Sequence, residues 1–274
     1  MHMSVALFDP HPLFYIEYKR YEEVYSMPDY HYHQAYELYI LEEGCHDMLI
    51  NDALYTIGMH DVVLFRPNLI HKSRRSQTCA RTCVYFTERF LRMHFTDRTI
   101  RLLLGCFEEE VITLPEDVFP KVKKILLRMD REDVEAHDNR IFLYLAELLA
   151  ILNDHKGKPR AERLSSAYPE IAPILAYMNR NFPQINRIEE IAEHFYISKY
   201  HLCRKFKEAT GTTLIQYLNS IRLQHACQML AETSLSILEI SASCGFNSSM
   251  YFCKLFKQAM AVTPGEYRRN ARNS

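Results

Sequence analysis

The stretch IEEIAEHFYISKYHLCRKFKEATGTTLIQYL, residues 188–218, decides the fold, because it returns in altered form as ILEISASCGFNSSMYFCKLFKQAMAVTPGEYR at residues 237–268. The offset is 49 residues up to the middle of the unit and 50 after it, with identities at Ser198/Ser248, Cys203/Cys253, Phe206/Phe256, Lys207/Lys257, Ala209/Ala259, Thr213/Thr263 and Tyr217/Tyr267. Apolar residues at helical spacing on both sides of a break make each unit a helix, a tight turn and a second helix. Cap signals mark the helix starts. Asn186 with Glu189, Thr213 with Gln216, Ser236 with Glu239 and Thr263 with Glu266 each pair an acceptor for first-turn amides with a reciprocal acid or amide three residues on. Pro264 sits where a missing N–H costs nothing. Residues 169–274 therefore read as wholly helical.

In each unit the second helix keeps one apolar stripe, Leu202, Phe206 and Ala209 in the first and Phe252, Phe256 and Ala259 in the second. Turned outward are Lys199, Tyr200, Cys203, Arg204 and Lys207, and in the second unit Ser249, Met250, Cys253, Lys254 and Lys257. A single charged face would read as a solvated bundle. Presented twice after a tight turn, it suits the major groove of double-stranded DNA, where cations neutralise phosphate and a few side chains meet base edges. Thr213 to Ala231 reads as one connecting helix with Leu214, Leu218, Ile221, Ala226, Met229 and Leu230 inward. At about 1.5 Å per residue it spans about 28 Å, near the roughly 34 Å between successive major grooves on one face of B-DNA.

Upstream the pattern is different. Residues 13–18, 37–41, 46–50, 53–57, 61–65 and 82–86 are short aromatic and β-branched segments separated by turn residues such as Asn51, Asp52 and Gly58, the rhythm of a sandwich or small barrel. From Phe119 the period becomes helical, with Val118, Val122, Ile125, Leu126 and Met129 on one face, and residues 139–152 are apolar nearly all round. Such a helix must be covered, either by its own domain or by a second subunit; a homodimer centred on Leu145 and Leu149 is the expectation. Residues 154–168, with Gly157 and Pro159, read as a polar linker.

With 48% hydrophobic and 24% charged residues the chain of 274 is a globular protein with room for two domains. Its net charge of −1 conceals an asymmetry: residues 1–168 carry 21 Lys and Arg against 26 Asp and Glu, whereas residues 169–274 carry 12 against 8. A mildly basic end on an acidic body is compatible with a polyanionic partner. No apolar run reaches the roughly 18–20 residues of a bilayer span, and the first residues lack the basic and apolar regions of a secretory signal, so no membrane and a cytoplasmic location are expected. The eight cysteines form no Cys-x-x-Cys pair and read as reduced. Nothing resembles a catalytic triad or a phosphate loop, and no enzyme activity or cofactor is expected.

One cluster in the first half bears on ligands. Equal parity along a strand puts His31, His33, Glu37 and Tyr39 on one face, pointing into a lumen, with His71 as the natural further group. The spacing resembles the first cupin motif, and Gly58 to His71 a loose second one. Two imidazoles and a carboxylate are donors for iron, manganese, nickel or zinc; the same groups equally line a pocket for an organic molecule, or satisfy buried backbone carbonyls.

Residues 169–270 resemble the DNA-binding domain of the AraC/XylS family of bacterial transcription regulators, on IAEHFYISKYHLCRKFKEATG, YLNSIRLQHACQML, ISASCGFNSSMYFCKLFK and TPGEYRR. The resemblance implies recognition positions at Tyr200, Cys203 and Arg204, and at Ser249, Met250, Cys253 and Lys254. Ala261 departs from the usual glycine and Met250 from a common serine. The implied fold is multidomain: an N-terminal all-β cupin-like barrel (8–95) with a helical dimerisation segment (96–153), the linker, and a C-terminal all-α domain of two helix-turn-helix units (169–274). The implied partners are promoter DNA, RNA polymerase, a second copy of the chain and a small-molecule effector such as a sugar, held without metal by His31, His33, Glu37, Tyr39 and His71, with Tyr36, Tyr39, Tyr55 and Tyr85 for stacking. A metal site at His31, His33, Glu37 and His71, in a cupin enzyme fused to a DNA-binding domain, is the alternative, and an unliganded oligomerising barrel a third.

Overall fold

A computed structural model describes residues 13–22, 33, 35–50, 53–67, 69, 71–76, 78–135, 140–157 and 169–273. His31 and residues 158–168 of the expected linker lie outside the described residues.

The strands β1 (Phe14–Tyr21), β2 (Tyr36–Glu43), β3 (Cys45–Ile50), β4 (Ala53–Gly58), β5 (Asp61–Phe65), β6 (His71–Ser76), β7 (Cys79–Phe86) and β8 (Val111–Thr113) form two antiparallel sheets. One has the order β1-β7-β2-β5-β8 and the other β4-β3-β6. Alternation along the strands sorts their side chains. Tyr39, Leu41, Val63, Phe65 and Cys83 meet Met48, Ile50, Tyr55 and Ile57 across the lumen. Leu38, Ile40, Val62, Leu64, Val84 and Phe86 point the other way, into a layer of helices. Because both faces of the larger sheet are covered, β5 reads as an unbroken apolar run rather than an alternating one.

That helical layer is α1 (Glu88–His94), α2 (Asp97–Leu103), a 3-10 turn at Leu104–Glu108, α3 (Phe119–Glu135) and α4 (Ile141–His155). Thr87 and Thr96 cap the first two helices by accepting from the amides of Phe90 and Thr99. On α3, Val122, Ile125, Leu126 and Met129 face the sheet as their spacing predicts. The structure corrects the expectation for α4: Leu145 and Leu149 are 0% exposed within a single chain. The sheet and neighbouring helices cover them, so neither side chain is available as the centre of a dimer; the exposed apolar residues of this layer include Leu127 and Leu143.

The second half comprises α5 (Ile171–Asn181), α6 (Ile188–His194), α7 (Lys199–Thr210), α8 (Leu214–Glu232), α9 (Ile237–Ser243), α10 (Ser249–Met260) and α11 (Pro264–Asn273). Capping boxes close at Thr213/Gln216 and Ser236/Glu239, and Thr263 and Glu266 exchange the same pair of hydrogen bonds. Asn186 is different: the residue before α6 is Arg187, without a side-chain cap bond, and the Asn186 amide donates to Glu190 rather than Glu189. After α7 the chain turns through Gly211 at φ 70, and after α10 through Ala261 at φ 57, where a side chain is strained.

The halves do not form wholly separate cores. Leu54, Leu49 and Lys72 are cross-strand neighbours in one row over β4, β3 and β6. Leu49 and Leu54 join the core of the helical half, and Lys72, a residue only 3% exposed, donates through its ammonium to the Gly211 carbonyl at 3.0 Å. Among the described residues no helix is long and apolar enough to cross a membrane.

Candidate nucleic-acid interface and barrel site

The two helix-turn-helix units differ in one informative position. Tyr196 and Gly245, equivalent in the repeat, both turn with positive φ, at 54 and 79. Tyr196 faces solvent, whereas a Cβ on Gly245 would lie 2.4 Å from the Pro183 carbonyl oxygen. The second turn is therefore restricted to glycine by contact as well as by backbone conformation. Ser198 and Ser248 then cap α7 and α10, accepting from the amides of His201 and Tyr251.

All ten side chains expected on the reading faces lie on α7 and α10. Lys199, Tyr200, Cys203, Arg204 and Lys207 are exposed, as are Met250, Lys254 and Lys257; Ser249 and Cys253 are half-buried. Tyr200 and Met250 stand out at 78% and 82%, a large exposure for side chains with apolar bodies. Lys199 pairs with Glu189 at 2.7 Å and Arg204 with Glu208 at 2.8 Å. These are solvated pairs that release their cations readily to a phosphate or a base.

The spacing of α7 and α10 is fixed by α8. Leu214, Leu218, Ile221, Ala226 and Leu230 are buried on it. Arg222 donates to the carbonyls of Phe182 at 3.0 Å and Ile185 at 2.6 Å, tying α8 to the end of α5, and the Asn219 amide reaches the Tyr251 hydroxyl on α10 at 3.3 Å. The outcome is one packed helical body with two outward helices.

In the barrel, His33, Glu37 and His71 come together and Tyr39 does not join them. His33 Nε2 lies 2.8 Å from Glu37 Oε2, and His71 Nε2 lies 3.5 Å from the same oxygen. The Tyr85 hydroxyl donates to the other carboxylate oxygen at 3.0 Å. Burial alone would raise the Glu37 pKa, but hydrogen bonds and charge from His33 and His71 hold it well below the ordinary carboxylate range. Tyr39 instead shares a 3.1 Å hydrogen bond with His46. Burial, with the Arg81 charge behind it, lowers the His46 pKa to about 4.

Arg81 completes this second polar group, donating to Glu17 at 3.1 Å and Tyr21 at 3.2 Å with its guanidinium 5.4 Å from the Tyr39 ring centre. Tyr85, expected among the stacking tyrosines, is a lumen residue; Arg81 and His46 are lumen residues that the sequence analysis does not single out, and the shared parity of Arg81 and Tyr85 on β7 is the available signal. Tyr36 was placed with the stacking tyrosines, but its ring packs on Phe86 and Phe107, on the helical side of the sheet. Its even number sets it opposite Glu37 and Tyr39.

Comparison with known proteins gives the same two-part division. Residues 11–170 match the model of an AraC-like ligand binding domain and residues 191–270 that of a helix-turn-helix domain. The HTH-type transcriptional activator RhaS of Klebsiella pneumoniae is 26% identical over 253 residues, which is 87% of either chain. The HTH-type transcriptional regulator ArgR of Pseudomonas aeruginosa is 35% identical over 120 residues, 44% of this chain and 36% of its own. Among solved structures, fatty-acid-bound ToxT of Vibrio cholerae aligns over 96% of this chain and 97% of its own, at 16% identity and a TM-score of 0.39. A ligand-binding barrel joined to a duplicated helix-turn-helix reader, matched over most of its length, makes this chain a member of the AraC family of transcription regulators.

Proposed function

We propose that the protein binds specific promoter DNA through α7 and α10 and alters transcription when a small molecule enters the barrel lumen, acting by binding rather than by catalysis. The observation that carries this reading is the pair of equivalent outward faces, Lys199 to Lys207 and Ser249 to Lys257, on one body braced by α8. Arg204 and Lys254 occupy equivalent positions and serve as the base or phosphate contacts; Cys203, Cys253 and Met250 contribute little hydrogen bonding, which shifts selectivity towards apolar contacts and DNA shape.

The effector reading rests on His33, Glu37, Tyr39 and His71 facing the lumen, with Tyr55 and Tyr85 beside them, and extends to His31 by parity of sequence alone. Hydroxyls meeting a buried carboxylate and imidazoles, beside aromatic rings, favour a sugar or related metabolite. The chain works as a homodimer that contacts RNA polymerase, joined through the helical layer at its exposed residues, Leu127 and Leu143, rather than through Leu145 and Leu149. A thermal-shift screen with carbohydrates first, followed by promoter binding with and without each hit, tests the reading. A ligand that raises the melting temperature and changes promoter affinity supports it; equal affinity for promoter and random DNA under all conditions removes it.

A further inference from the structure

We infer that His33, Glu37 and His71 form a binding site for a divalent transition-metal ion in the barrel lumen. Its bearing on regulation rests on the effector reading above: three protein ligands leave a coordination position at which an oxygen of the small molecule can bind.

The argument begins with the far sides of the two rings. His33 Nδ1 lies 2.8 Å from the Ala35 carbonyl and His71 Nδ1 lies 3.0 Å from the Leu69 carbonyl. A carbonyl only accepts, so both Nδ1 atoms carry hydrogen and both Nε2 atoms are turned towards Glu37. A backbone carbonyl on one imidazole nitrogen, orienting the other, is the usual support for a metal-ligating histidine. The ligand atoms of all three residues lie within 4.8 Å of one another.

Distances separate an ion from a shared proton. One proton between His33 and Glu37 accounts for their 2.8 Å approach. The 3.5 Å between His71 Nε2 and Glu37 Oε2 is long for a hydrogen bond. It is close to the roughly 3.3 Å between ligands of a tetrahedral ion with bonds of about 2.0–2.1 Å. The surroundings are rigid: Phe65 stacks on His71 with centroids 3.8 Å apart, and Tyr85 fixes the second Glu37 oxygen. Two imidazoles and one carboxylate select zinc, nickel, cobalt or iron over magnesium and calcium.

The test uses the untagged full-length protein. It is stripped with chelator, dialysed, and titrated with Zn2+ alone by calorimetry and with Co2+ alone by visible absorption. About one ion per chain, cobalt bands of low coordination number, and no response to Mg2+ are expected. Affinity should fall at least about 100-fold in His71→Ala and Glu37→Gln, and about 10-fold in Tyr85→Phe, which removes only an outer hydrogen bond. Circular dichroism checks each fold, and Tyr85→Phe keeps the test alive if a ligand variant unfolds. No Zn2+ uptake by the wild type, or unchanged affinity in folded His71→Ala, overturns the inference. If an organic ligand still raises the melting temperature of a chain that takes no metal, the effector reading survives and the metal site does not. Metal uptake with no organic ligand found leaves the site standing and removes its link to regulation.

Discussion

Replacing Lys72 with methionine isolates the contact between barrel and reader. Lys72 and His71 are adjacent on β6 and alternate faces, so one strand carries a lumen group and, next to it, a cation seated on the turn that ends α7. Methionine keeps the buried stem but removes the charged donor to the Gly211 carbonyl. A hydrogen bond from a charged donor contributes about 1.5–3 kcal/mol when its loss leaves a buried acceptor, and burial of Lys72 leaves little solvent screening to discount. At about 1.4 kcal/mol per tenfold, the undocked arrangement should gain about 10- to 100-fold relative to the docked one. Native-state amide exchange reads this directly: protection should fall by that factor along β3 and β4 around Leu49 and Leu54 and at the start of α8, while the amides of α10 keep theirs. Unchanged exchange on both sides of the contact, in a variant that is folded, would refute the claim that Lys72 holds the halves together.

Three further outcomes follow from the same structure. Arg204→Ala should cost about 1–3 kcal/mol on the specific site and less on random DNA, whereas Lys207→Ala should weaken both and flatten the salt dependence; equal losses from both variants on both DNAs would make Arg204 a phosphate contact. Ala261→Gly should stabilise the reader by about 1–2 kcal/mol by relieving the left-handed backbone, read as a higher denaturant midpoint. Because the folded pKa of His46 is about 4, below its ordinary 6.5, the unfolded chain takes up a proton that the barrel refuses. Stability is therefore full above about pH 6.5 and lost as pH falls, by about 2 kcal/mol at pH 5. Glu37, with its depressed pKa, removes more only as pH drops below the ordinary carboxylate range. The tyrosine near-ultraviolet signal follows this, as the chain has no tryptophan, and His46→Gln should flatten the loss between pH 6.5 and 5.

How much the sequence disclosed depended on whether local pattern and tertiary cover agreed. The repeat carried its own caps and stripes, so α7 to α10 were legible almost to the residue. Helix α4 was not, because an all-round apolar surface says that something covers it and not whether a sheet or a second subunit does so. Strand β6, HKSRRS, has no apolar alternation; its lumen face holds His71 and its other face holds Lys72 against the reader, so polar residues are buried on both sides. Of the barrel cluster, parity gave His33 and Glu37, and the fold turned Tyr85 from an expected stacking ring into a hydrogen-bond donor to Glu37. Nothing local marks Lys72 as a partner of Gly211, 139 residues away.

The central claim is that one chain reads two successive major grooves with two equivalent helices. Hydroxyl-radical footprinting on a selected high-affinity DNA site, with full-length protein, tests it most directly. The account predicts, for each chain, two protected centres about 10 base pairs apart on one face of the duplex. Arg204→Ala should weaken one centre and Lys254→Ala the other. A single protected groove per chain that both variants weaken alike would contradict it.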